Sequence, residues 1–170
     1  MGNTSTVGII LGSKSDLNIA HTAIEILTHF NINFDFIISS AHRSPGRTIN
    51  WVKSVEEKGI NVIIAIAGAA AHLAGFVAAH TILPVIAVPV PSSELSGIDS
   101  LLSCVQMPGG VPVATMAIGE AGAKNAAILA CQILSTANDK LKEELKKYKL
   151  SLADKVEKDH NEAVISLKKK

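Results

Sequence analysis

Apolar residues along the chain form short unbroken runs, and each run is followed by a stretch with helical spacing. Val7–Leu11 is the first run, and Gly12 ends it. Over Ser15–Phe30, Ile19, Ala23, Ile26, Leu27 and Phe30 recur on one helical face. Phe34–Ser39 is predicted as a second strand. Pro45 suits the first turn of a helix that carries Ile49, Val52 and Val55 and stops near Lys58 and Gly59. Val62–Ala67 is predicted as a third strand closed by Gly68, and Ala70–His80 as an alanine-rich helix. Pro84–Val90 is the fourth strand, and its prolines imply an edge position or a strand end. Ser96–Val105 predicts a short helix inside a long connection, Val113–Ile118 a fifth strand, and Glu120–Thr136 a further helix.

Strands that run apolar without alternation are covered on both faces, and helices between them make the strands parallel. With right-handed crossovers the prediction is an α/β fold, a three-layer α/β/α sandwich on a parallel sheet. The pattern does not give the strand order; a flavodoxin-like order is the expectation. One catalytic-size domain is expected over 1–138. The tail, 139–170, differs in kind. Leu141, Leu145, Tyr148, Leu152 and Val156 form one narrow apolar stripe among lysines and acids, which predicts a C-terminal amphipathic helix. Such a stripe needs a partner surface, either its own domain or a neighbouring subunit.

Composition favours the second choice. Of 170 residues, 48% are apolar and 18% charged, which excludes a disordered chain. A chain of this length buries about 69% of its unfolded surface, enough for one core. The net charge of +1 hides an asymmetry: residues 1–139 carry six basic and nine acidic groups, and from Lys140 onward ten lysines face six acids. So uncharged a body covers its sheet on both faces or hides surface in an oligomer. Arg43 and Arg47 are the only arginines, and no aromatics alternate with basic residues, so nucleic acid is not an expected partner. Val62–Pro91 is nearly all apolar, but His72, His80, Thr81 and Pro84 keep it below the ~18 clean residues of a membrane span. Cys104 and Cys131 form no CxxC pair and read as structural thiols in a reducing, cytoplasmic setting. The first residues lack the basic and apolar regions of a signal peptide. Gly2 with Thr6 spells a myristoylation pattern, which the strand starting at Val7 argues against.

In open parallel sheets, ligands bind beyond the carboxyl ends of the strands. Strand one ends in Gly12-Ser13-Lys14-Ser15-Asp16, strand two in Ser40-Ala41-His42-Arg43-Ser44-Pro45, and strand three in Gly68-Ala69-Ala70-Ala71-His72-Leu73. Gln106-Met107-Pro108-Gly109-Gly110, before strand five, is placed near the same rim. A glycine and hydroxyls at a helix start suit a phosphate, yet Ser13-x-x-Asp16 equally spells a capping-box variant. It is neither a P-loop nor GxGxxG, so ATP and dinucleotides are not indicated. His42 beside Arg43 joins an acid/base to an anion clamp. Gly68 and its alanines let a ligand approach the backbone between apolar walls; they also suit plain helix–sheet packing. His72 alone reads as an interior histidine. No HExxH, Cys/His cluster, GxSxG or second rim carboxylate accompanies Asp16, so no metal site is expected.

GSKSD, SAHRSP, GAAAHLAG and QMPGGVPVATMAIG, in this order, resemble the class I N5-carboxyaminoimidazole ribonucleotide mutases of purine biosynthesis from about Val7 to Leu134. The resemblance implies a flavodoxin-like homo-octamer that moves a carboxylate from N5 to C4 of an aminoimidazole ribonucleotide, with no cofactor. It implies that Ser13 and Arg43 hold the 5′-phosphate, Asp16 the ribose hydroxyls, and that His42 is the general acid/base. Ser40, Ala41, Gly68, Ala69, Ala70, His72 and Leu73 would frame the imidazole and the migrating carboxyl group.

The sequence departs from the family pattern at three places. Ala69 stands where a second glycine is usual, Ala74 where proline is usual (HLPG), and Gly46 where aspartate is common. Ala69 is expected to crowd the carboxyl pocket and Ala74 to loosen its closing loop. HLAG, close to HLPG, favours the mutase class over the animal-type enzyme that takes CO2 directly. Two alternatives stand beside the mutase: a direct aminoimidazole ribonucleotide carboxylase, and a non-catalytic nucleotide-phosphate binding module.

Overall fold

The computed structural model describes residues 6–92 and 94–168; Gly2 therefore lies outside the described residues. The chain divides into two compact units, the first running to Leu134 and the second from Ser135.

The first unit alternates strands and helices: β1 (Thr6–Leu11), α1 (Leu17–His29), β2 (Asn33–Ile38), α2 (Pro45–Ser54), β3 (Ile60–Gly68), α3 (Leu73–Ala78), β4 (Val85–Val90), α4 (Ile98–Val105), β5 (Ala114–Thr115) and α5 (Glu120–Ser135). All five strands are parallel in the order β2-β1-β3-β4-β5, the flavodoxin-like order of a three-layer α/β/α sandwich. The unbroken apolar runs are the three inner strands: Ile9, Ile10 and Leu11, Val62 to Ile66, and Val85 to Val88 are all buried. β2 is an edge, and it leaves Phe34 and Phe36 partly exposed. In β1 the missing side chain of Gly8 makes room for the Trp51 indole of α2; a Cβ there would stand 3.0 Å from the ring.

Three expected boundaries shift, each for a backbone reason. The alanine helix expected from Ala70 starts only at Leu73, because Ala69 and Ala71 adopt left-handed φ of 52° and 38°, which no helix accepts. The helix from Pro45 ends at Ser54, and turns carry the chain to Gly59, at φ 68°. The fifth strand shrinks to Ala114–Thr115. Its register follows Ile86 and Ala87, Met116 N–H reaches the Ala87 carbonyl, and the next bond skips to Gly119 N–H on the Pro89 carbonyl. Pro89 lacks the N–H that would continue that ladder. The prolines of β4 thus mark a local edge on an inner strand.

The second unit is one helix, α6 (Asp139–Lys168), entered by an Asn138 side chain that accepts from the Leu141 N–H at 3.1 Å. Leu152 and Val156 of its apolar stripe are exposed. Among the described residues, no helix is long and apolar enough to cross a membrane.

Candidate active site

Four adjacent strands deliver their carboxyl ends to one rim, at the point where the strand order reverses between β1 and β3. The cavity there, about 310 Å³, is lined by Gly12, Ser13, Ser15 and Asp16 after β1 and by Ser40, Ala41, His42 and Arg43 after β2. Ala67 to Leu73 at the end of β3 and Ser92 after β4 complete it. This volume sits at the small end of the range for small-molecule sites.

The β1 loop takes the capped turn that its sequence allowed. Ser13 caps a single 3-10 turn by accepting from the Ser15 N–H at 3.4 Å. The Ser15 hydroxyl donates to Asp16 Oδ1 at 2.9 Å. Asp16 is almost wholly buried, and burial pushes its carboxyl above the usual range; the Ser15 hydroxyl, the Ser13 N–H and the Arg43 charge pull it back only in part. A turn capped this way still presents its residues to the cavity.

The β2 loop stands on buried hydroxyls. Ser39 and Thr48, both buried, share a hydrogen bond of 2.8 Å. Ser44 donates to the Ser40 carbonyl at 3.1 Å and accepts from the Ser40 N–H at 3.2 Å. Pro45 then starts α2. The loop is thereby fixed at both ends, and His42 and Arg43 face the cavity from its exposed middle. Arg43 donates to Ser40 Oγ at 3.4 Å and to the Gly12 carbonyl at 3.2 Å, which ties the β1 and β2 loops together. His42 Nε2 lies 2.9 Å from His72 Nδ1. His72 is therefore a cavity residue hydrogen-bonded to His42, not an interior histidine.

The β3 end supplies the apolar wall. Ala69 and Ala70 are exposed to the cavity, Ala71 and Leu73 are buried behind it, and the Ser100 hydroxyl holds the Ala69 carbonyl at 3.2 Å. Ala74 does not touch the cavity; it is buried in the first turn of α3, a place that proline also suits, so no closing loop is loosened there.

Every residue singled out from the sequence as a site candidate, Ser13, Asp16, Ser40, Ala41, His42, Arg43, Gly68, Ala69, Ala70, His72 and Leu73, lines this one cavity. The Gln106–Gly110 segment does not; its Met107 thioether packs against Gly75 of α3. Ser15 and Ser92 are the polar lining residues that the reading passed over. Ser92 follows a strand end, so the rule that found the other loops applies to it as well. Among the described residues no group of His, Cys, Asp and Glu is arranged to hold a metal.

Comparison with known proteins bears directly on this arrangement. The family model described as AIR carboxylase matches residues 6–155. The chain is 52% identical over 151 residues to the N5-carboxyaminoimidazole ribonucleotide mutase of Pyrococcus horikoshii, covering 89% of this chain and 84% of that protein. It is 49% identical over 154 residues to the mutase of Escherichia coli, covering 91% of each. The crystal structure of Treponema denticola PurE superposes with a TM-score of 0.82 at 32% identity, covering 91% of this chain and 96% of that one.

Proposed function

Because the chain belongs to the AIR carboxylase family, we propose that it moves the carboxylate of N5-carboxyaminoimidazole ribonucleotide from N5 to C4, in purine biosynthesis. One observation carries the reading: an imidazole, an anion clamp and an apolar wall line the same small cavity. Arg43 and Ser13 hold the 5′-phosphate, and Asp16 accepts from the ribose hydroxyls. Ser40 and Ala41, with the Gly68–Leu73 wall, frame the imidazole and the carboxyl group.

The chemistry follows from these residue types. The N5–carboxylate bond breaks, its electron pair stays on N5, and N5 takes a proton from His42. The products are CO2 and an electron-rich aminoimidazole. C4 attacks the CO2 carbon, a C4 carboxylate forms, and His42 removes the C4 proton. Atoms and electrons balance within the substrate, so the reaction calls for no cofactor. One histidine serves as acid and then base, which contributes roughly 10²–10⁴-fold. The apolar wall keeps CO2 beside C4 by proximity and by excluding water.

The active enzyme is a cytoplasmic homo-octamer, a reading supported by the exposed Ile98, Leu102 and Val105 of α4 and the exposed Phe34 and Phe36 of β2. Residues 1–138 form its catalytic domain and the 139–170 tail lies on a neighbouring subunit.

The test runs the reaction in reverse on the C4-carboxylated ribonucleotide, without ATP or metal, comparing the wild-type protein with His42→Asn by carbon-13 NMR. N5-carboxylated product from the wild type alone supports both the reaction and the role of His42. Loss of CO2 to free aminoimidazole ribonucleotide with no N5 product would replace it by direct carboxylation. No turnover by folded protein would leave a nucleotide-phosphate binding module.

A further inference from the structure

The end of β4 carries a polar group that none of these roles uses. Beyond Val90 the chain turns at Pro91, and the Ser92 N–H donates back to the Val90 carbonyl at 2.9 Å. This is a three-residue γ-turn, for which proline's fixed φ suits the central position. The turn brings Ser92 against the end of β3, where Gly68 pairs with Val90.

The approach there is close. A Cβ built on Gly68 would fall 1.8 Å from Ser92 Oγ and 2.7 Å from Ser92 Cβ. The Ser92 hydroxymethyl group thus fills the space above Gly68 that any side chain would need. From there it lines the cavity together with Ala69, Ala70 and His72. The wall facing it is glycine, alanine and leucine apart from His72. Among the described residues no group takes up the Ser92 hydroxyl in a hydrogen bond.

We propose that Ser92 donates the hydrogen bond that holds the migrating carboxyl group against the Gly68–Leu73 wall. The inference rests on the carboxyl-transfer reading above. Between release from N5 and capture at C4 the group is CO2, which has no charge and little to anchor it. An apolar wall confines CO2 but does not orient it. A donor at the wall stabilises the carboxylate at both ends of the transfer, when charge sits on its oxygens, and keeps the carbon facing C4 in between. A site without that donor still breaks the N5 bond, because His42 supplies the proton. What it loses is the return of the same CO2.

The expected signature is therefore leakage. The C4-carboxylated ribonucleotide, labelled with carbon-13 in its carboxyl group, is incubated with full-length wild-type protein and with Ser92→Ala, Ser92→Thr and Gly68→Ala in unlabelled bicarbonate. Carbon-13 NMR follows interconversion with the N5 form and the appearance of labelled bicarbonate. The wild type retains its label through repeated interconversion. Ser92→Ala loses label about tenfold more often per interconversion, the scale of one lost hydrogen bond. Ser92→Thr keeps the hydroxyl and stays close to wild type. In Gly68→Ala the new methyl group displaces the hydroxyl, and the protein leaks like Ser92→Ala. Label retention in Ser92→Ala equal to wild type overturns the role of Ser92 and leaves the carboxyl-transfer reading intact. No interconversion by the wild type overturns both.

Discussion

His42 Nε2 and His72 Nδ1 stand 2.9 Å apart, with their rings edge to face at 89°. One proton lies on that line, carried by one nitrogen and accepted by the other. The contact fixes the orientation of the His42 ring and links the β2 loop to the end of β3. His72→Leu removes it and is expected to lower kcat about tenfold, less than the ~10²–10⁴-fold cost of losing the acid/base itself. His72→Asn keeps a polar group near the Nδ1 position and is expected to recover most of kcat. Steady-state kinetics decide the matter: equal rates for His72→Leu and wild type would remove His72 from the positioning of His42.

Ala69 is expected to be under backbone strain. Its φ of 52° costs an L-residue about 1–2 kcal/mol, and glycine gives back about 0.5–1 kcal/mol in chain entropy. Ala69→Gly should therefore raise the unfolding free energy by about 0.5–1 kcal/mol. Urea denaturation at unchanged slope measures this. A lower midpoint would show that Ala69 is accommodated without strain.

Asp35 gives the fold a pH dependence on its acid side. Its Oδ2 accepts from Trp51 Nε1 at 2.7 Å and from Lys58 Nζ at 2.8 Å, joining β2 to α2 and the turn that follows. Burial pushes the carboxyl up, but the hydrogen bonds from Lys58 and Trp51 and the Lys58 charge outweigh it and hold the group below its usual range. The stabilisation is complete above the unfolded carboxylate range and fades as pH falls through the lowered folded value. Asp35→Asn should cost about 0.5–1 kcal/mol at neutral pH, as expected for a half-exposed pair, and progressively less in acid. Trp51, the single tryptophan, reports the unfolding by fluorescence. A penalty that does not change with pH would show that the Asp35 charge adds nothing to stability.

The exposed Leu152 and Val156 of α6 give a test of the assembly. Replacing both by glutamate in the full chain is expected to lower the mass measured by light scattering while circular dichroism stays unchanged. An unaltered mass would place the stripe outside any subunit contact.

Much of this protein was legible from residue order because its signals are local. A parallel strand covered on both faces must be apolar throughout, so Val7–Leu11 and Val62–Ala67 announced themselves. The loops after β1, β2 and β3 were legible for a related reason: glycines, hydroxyls and a His-Arg pair cluster just beyond the carboxyl ends of parallel strands, where open sheets bind ligands. Motif order, which needs no geometry, pointed to the family.

The tertiary structure decided what depends on distance between chain-remote atoms. By its own chemistry His72 reads as an interior histidine, and the resemblance places it at the site, but nothing local says that a residue thirty positions away meets its ring. Ser92 stands after a strand end, but its close approach to the missing side chain of Gly68 on the next strand is visible only in the fold. The start of α3 differs from the expectation because alanine signals helix, whereas Ala69 and Ala71 take left-handed backbone at the end of β3. Local preference is worth about a kilocalorie per residue, and packing across the sheet overrides it. The sequence thus determined the sheet and the chemical groups at its rim; the packing between strands determined which of those groups touch.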